Sequence, residues 1–374
     1  MGKNKNTFFH NKGRLIFWLL VLLAFFVLAF KFADLHQLYL NIKQSELSFI
    51  FLAILAQFFY FVLFTVTYKI SFRIVNIKYS FKRLFPLTFA YIFVNVVAPT
   101  LGASGPALFA TEASRRKESS VRTLAGVLVA NLAQFITFTV ILFFGAFYLY
   151  IRGGLRAYQI AASLLLIIMT ALLISLIPLA IKKPKSLKKY LHWQTKILDK
   201  LLKIFHRKKR FQDDWIEDGV NEFSDASKNV TRQSSEIKKL IFYYFLVHGM
   251  NIFSLFLIFM AFHQHILFRA LISGFVMGVL FQIVGITPYG IGLTESAMAL
   301  TFTSLGVTTE SAILITLTYR GIAFWLPFLI GFILLRKIHI FGLKDISVIN
   351  LILENKHVIN LKKAIKVRLI NIEK

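Results

Sequence analysis

Residues 285–296 read Gly-Ile-Thr-Pro-Tyr-Gly-Ile-Gly-Leu-Thr-Glu-Ser inside a long apolar stretch, and Arg320 stands alone in the next one. Pro288 has no backbone donor and clashes with the turn before it. Gly290 and Gly292 weaken any helix there. Glu295 is costly in hydrocarbon unless paired or wetted, and Arg320 costs about 3 kcal/mol or more at the bilayer centre. The cheapest relief for each is the other. Two readings of the pair stand side by side. A guanidinium suits bidentate recognition of a phosphate, with Glu295 holding it or exchanging it. Equally, the two side chains form a structural ion pair that pins one segment to the next.

A second break, Ala-Pro-Thr-Leu-Gly-Ala-Ser-Gly at 98–105, interrupts an earlier apolar stretch with Pro99 and Gly102. Ser104 and Gly105 can offer backbone amides to an anion, as the starts of half-helices do. Glu112, Arg115 and Arg116 follow near the end of that stretch. They either line a substrate vestibule or are ordinary cationic flanking. Gln57, Asn95, Asn131, Gln134, His248 and Gln282 also fall in apolar stretches. They line a polar path or simply tie helices together. His263 and His265 lack neighbouring ligands for a metal. The chain has no P-loop, no dinucleotide fingerprint and no Ser-His-Asp signature, so neither cofactor nor metal is expected. With no cysteine, disulfides and thiolate chemistry are excluded.

These residues must be held by membrane helices. The chain is 57% hydrophobic over 374 residues, with mean hydropathy +0.67. Apolar runs at about 15–33, 48–70, 121–150, 157–181, 240–262 and 309–335 are each long enough to span the bilayer. The first reads as a retained signal anchor after residues 1–14, since no cleavage site follows it. Two further runs, 84–113 and 269–305, carry the breaks. Irregular backbone is tolerated at membrane depth only inside protein or beside a water-filled cavity. The fold expected is therefore an all-α polytopic membrane protein, with six full spans and two re-entrant helical hairpins.

Charge orients this arrangement. The net charge of +27 would point a soluble protein to nucleic acid. Here the cations cluster between spans, so an anionic membrane surface is the partner expected, and nucleic acid is not. If both termini are cytoplasmic and each broken run returns to the side it left, 38 of the 44 Lys and Arg face the cytoplasm, as the positive-inside rule requires. Residues 48–150 and 240–335 then form inverted-topology repeats, the pattern of alternating-access transporters. The loop 182–239 is expected to hold a basic amphipathic helix over 187–205, and the acidic stretch from Asp213 to Asp218 is either a second helix charge-paired to it or part of a solvated connector. The tail 336–374 is expected to lie on the membrane.

Three passages resemble the flippase-like family typified by the transmembrane region of bacterial lysylphosphatidylglycerol synthase. They are the Pro99/Gly102 break with its basic turn, the run from Thr287 to Glu295, and Tyr319-Arg320 followed by Phe324-Trp325-Leu326-Pro327 and Gly331. The likeness covers roughly 15–335. The chain departs from the family pattern at Tyr289, where glycine is usual. The resemblance implies a lipid or lipid-linked substrate. It implies a translocating domain rather than an enzyme, because the soluble aminoacyl-transferring domain has no counterpart here. The expectation is a bacterial inner-membrane lipid translocase whose substrate headgroup passes both breaks, with Arg320 as anchor and Tyr319, Pro288, Gly290, Gly292 and Glu295 beside it. A secondary transporter of a small soluble anion and a non-transporting scaffold in envelope biosynthesis are the alternatives.

Overall fold

The computed structural model describes residues 45–97, 104–182, 213–285 and 287–340, together with Lys43 and Lys185 singly. Among the described residues there are helices and no strands. The protein is an all-α polytopic membrane protein. The described residues form eleven α-helices in order: α1 Leu47–Ile74, α2 Phe81–Val97, α3 Ser104–Arg115, α4 Ser120–Ile151, α5 Ala157–Lys182, α6 Asp213–Arg232, α7 Ser234–Ala261, α8 Phe268–Val284, α9 Leu293–Ser304, α10 Thr309–Arg320 and α11 Leu326–Ile340. A 3-10 turn, Pro288–Gly290, precedes α9, and a π turn, Gly321–Trp325, joins α10 to α11.

Among the described residues, five spans are long and apolar enough to cross a membrane: α1, α4, α5, α7 and the run from α10 through α11. Their bounds agree with the apolar runs of the sequence. The run at 15–33 lies outside the described residues, as do Pro99, Gly102, the basic stretch 187–205 and nearly all of the tail. α5 exposes Leu164, Leu165, Ile168 and Leu172, as a helix with lipid on most sides should.

The broken runs are pairs of short helices. α2 and α8 each have 17 residues, and α3 and α9 each have 12. At 1.5 Å per residue these arms reach about 26 and 18 Å, short of a ~30 Å hydrocarbon core. In each hairpin the two arms pack on each other. The elements around them repeat as well. α1 and α7 both have 28 residues. α4 has 32, and α10, the π turn and α11 run unbroken over 12, 5 and 15. Two chain halves thus carry the same succession of element lengths. The sequence shows this only faintly, since the apolar residues that fill each element are interchangeable in lipid.

By contacts, the described residues fall into two compact units. One, within 1–63, 135–169 and 244–326, contains the second hairpin; the other, within 64–134, 170–243 and 327–374, contains the first. In the second-hairpin unit, Gly274 and Gly278 present a bare face of α8. Phe302 and Met298 of α9 fill it, so closely that an added Cβ would lie 2.1 and 2.3 Å from them. Such small-xxx-small spacing lets membrane helices approach where no hydrophobic effect drives them together. In the first-hairpin unit, Phe109 of α3 stacks on Tyr68 of α1, with ring centroids 4.9 Å apart, and meets Phe72 and Tyr91.

α6 is amphipathic, and its buried Val220 and partly buried Phe223 pack on Ala180, Leu176 and Leu179 near the end of α5. The Ser119 hydroxyl, in the basic turn after the first hairpin, donates to Glu222. The acidic helix is therefore docked by an apolar face. The expected pairing with 187–205 falls outside the described residues.

Candidate functional site

The second hairpin turns at a backbone that few residues tolerate. Tyr289, Gly290 and Gly292 have φ of +54°, +68° and +85°. Gly290 is required twice over, because a Cβ there would lie 2.4 Å from Thr294 Oγ1 and 2.5 Å from Gln282 Cα. Tyr289 has no such licence. A bulky residue held in the left-handed region costs about 1–3 kcal/mol and persists only where its surroundings hold it. Its ring is stacked on Phe324 at 5.2 Å between centroids, and Phe324 belongs to the π turn. That turn forms just ahead of Pro327, which cannot donate the next helical hydrogen bond.

Glu295 and Arg320 come together at this tip. The Arg320 Nε donates to Glu295 Oε1 at 2.6 Å, with both side chains about 95% or more buried. Glu295 Oε2 accepts the Gly292 amide at 2.8 Å. The carboxylate thus sits at the N-terminus of α9, where the helix dipole favours negative charge. Arg320 also lies over the Phe324 ring at 4.3 Å and points Nη2 toward the Tyr289 carbonyl at 3.5 Å. The charges cancel within the site.

The same compact unit buries neutral polar groups as well. The Tyr60 hydroxyl meets Asn251 and lies within electrostatic range of Tyr244, Tyr289 and Tyr319. Gln57 donates from Nε2 to Asn251 Oδ1 at 3.0 Å. Gln57 Oε1 and the hydroxyls of Thr287, Thr294 and Thr316 are buried with no hydrogen-bond partner among the described residues. Buried polar atoms are seldom left so.

At the first hairpin, Ser104 and Gly105 open α3 as expected, but their donors are engaged. Asn95 Oδ1, from the opposite arm, accepts the Gly105 amide at 2.8 Å and the Ser104 hydroxyl at 3.1 Å. An added Cβ at Gly105 would strike Tyr91 and Asn95 at 2.3–2.5 Å. Glu112 is buried and accepts from Arg83 Nε at 2.6 Å. Arg83 itself is 54% exposed. Arg115 is exposed, while Arg116 lies over the Tyr79 ring at 4.4 Å and donates to the Lys78 carbonyl. Burial pushes the Tyr79 phenol above its ordinary range, against the pull of the Arg116 guanidinium. The phenol stays neutral, so the contact is cation–π rather than ionic.

Sequence reasoning found Glu295, Arg320 and Glu112. It missed Arg83, hidden among flanking cations, and the cap made by Asn95, counted there only as a polar residue in an apolar run. It named Tyr319 but missed the other phenols of the cluster, because the four are scattered over three helices and a turn. Gln282 lies at the second tip against Gly290. His248 rings with Phe138 in the core. His263 Nδ1 lies 3.5 Å from the Glu46 carboxylate, both well exposed.

A helical membrane protein with two broken hairpins, each carrying a buried carboxylate that accepts from an arginine, is the class that fold and site define. The chain belongs to the lysylphosphatidylglycerol synthase transmembrane region family, whose model matches residues 15–331. It is similar to a UPF0104 membrane protein of Pyrococcus horikoshii, 24% identical over 79% of this chain and 88% of that one. A UPF0104 membrane protein of Methanocaldococcus jannaschii is 22% identical over 84% and 92%. Another, of Methanothermobacter thermautotrophicus, is 20% identical over 76% and 84%.

Proposed function

We propose that this protein is a lipid translocase of the cytoplasmic membrane. It moves the headgroup of a phospholipid or lipid-linked glycan between leaflets while the chains stay in lipid. The observation that carries the reading is the doubled succession of 28, 17, 12 and 32 residues, each copy with a hairpin too short to span. Repeats with broken helices suit alternating access around a fixed site. The positive-inside count supports opposite orientations for the two copies, with both termini in the cytoplasm. Each hairpin supplies one polar station for the headgroup. No nucleotide motif is present, so a substrate gradient, proton gradient or membrane potential drives the step, with Glu295 as the protonatable group. The protein is a carrier and not an enzyme. Anionic lipids hold its basic loop and tail.

The test is reconstitution of the full chain in vesicles with fluorescent lipids distributed over both leaflets. Dithionite bleaches the outer leaflet at once and the inner one only as lipid crosses. Faster loss than in protein-free vesicles supports the reading. Loss at the protein-free rate for every headgroup class would end it.

A further inference from the structure

Charge balance at the second hairpin decides what it can hold. An anion entering there meets the Glu295 carboxylate, already 2.6 Å from the only cation of the pair. A cation meets Arg320. What the site still offers is uncharged: Gln57 Oε1 and the Thr294 and Thr316 hydroxyls, all buried and without a partner among the described residues. The phenols of Tyr60, Tyr289 and Tyr319 lie within electrostatic range of one another, and Asn251 joins Tyr60 to Gln57. Neutral donors and acceptors mixed with aromatic faces match one chemistry well. Sugar hydroxyls exchange hydrogen bonds with amides and hydroxyls, and the C–H faces of the ring stack on aromatics.

Tyr289 is the residue that gives this site its character. It occupies a left-handed position that glycine would fill without strain, and its ring is braced on Phe324. Strain of this kind gathers at ligand clamps. The helices that supply Gln57, Tyr60 and Asn251 also carry an apolar groove of about 360 Å³, lined by Leu55, Phe59, Met250 and Phe253. Its size is in the range of ligand sites, and a chain attached to the sugar has a dry seat there.

We propose that the second hairpin recognises an uncharged, hydroxyl-rich headgroup, a glycosyl group on a lipid, with Tyr289 as the specificity-determining contact. This rests on the translocase reading and narrows its substrate.

The test uses the full chain in phosphatidylethanolamine–phosphatidylglycerol vesicles. The probes are a fluorescent monoglycosyl diacylglycerol and a fluorescent phosphatidylglycerol, compared by dithionite bleaching. Wild-type protein should move the glycolipid faster. Tyr289→Gly should slow the glycolipid about ten-fold, the effect of one polar contact, and phosphatidylglycerol much less, with thermal stability equal or higher. Tyr289→Phe should fall between. Equal slowing of both lipids, or none, would overturn the inference, as would a wild type that moves phosphatidylglycerol alone. Should the wild type move neither lipid, binding followed by intrinsic tryptophan fluorescence separates the two ideas. Glycolipid binding lost in Tyr289→Gly sustains recognition while the translocase reading falls, and glycolipid binding unchanged in the variant, or absent from the wild type, overturns recognition too. Competition by free methyl glycoside at the lipid's own concentration would overturn the lipid-linked source.

Discussion

One oxygen of the Glu295 carboxylate takes the Arg320 Nε at 2.6 Å, and the other takes the Gly292 amide at 2.8 Å. The side chain therefore ties three things: the hairpin tip, the start of α9 and the last span. A buried ion pair stabilises little against an apolar replacement, but removing one partner strands the other. Glu112 and Arg83 show the same distance with the arginine in solvent, which leads to a different expectation.

Glu295→Gln is expected to cost about 3–5 kcal/mol, because Arg320 is left buried without a counter-charge. Glu112→Gln should cost about 1 kcal/mol or less, since Arg83 is screened by water. Thermal unfolding in detergent compares the two. Equal losses would refute the distinction.

Arg320→Gln should abolish lipid movement and also destabilise. The double variant with Glu295→Gln removes both charges and should regain much of the stability without regaining transport. A double variant that transports normally would reduce the pair to a structural pin.

Gly290→Ala should lower stability by more than about 1–3 kcal/mol, since positive φ and the Cβ clashes with Thr294 and Gln282 add together. Gly249→Ala is the control. It lies in α7 with nothing within 4 Å of an added Cβ, and it should be neutral or slightly stabilising. Matching melting temperatures for the two variants would contradict the turn geometry.

Asn95→Ala removes the acceptor for the Gly105 amide and the Ser104 hydroxyl. Loss of such a cap costs about 1 kcal/mol, and amide exchange at Ser104, Gly105 and Ala107 should rise relative to the rest of α3. Unaltered protection there would show that the cap does not hold the helix start.

The natural chain has no cysteine, so single cysteines report sidedness directly. Those at 104–112 should react with an impermeant thiol reagent from the cytoplasm, and those at 287–296 from outside. Labelling of both sets from one side would rule out opposite orientations.

The sequence alone was enough to place the five described spans and both breaks, because a span is a matter of length and apolarity. It was also enough to nominate Glu295 and Arg320, since a charge in an apolar run is conspicuous wherever it folds. Tertiary structure decided what those charges do. Only packing brings α9 and α10 together, so only packing shows Arg320 neutralised rather than free for an anion. The phenols of Tyr60, Tyr289 and Tyr319 converge from α1, the hairpin tip and α10, and no spacing in the chain announces that. The left-handed φ of Tyr289 is equally silent in sequence, because a residue held against its own preference is held by neighbours distant along the chain.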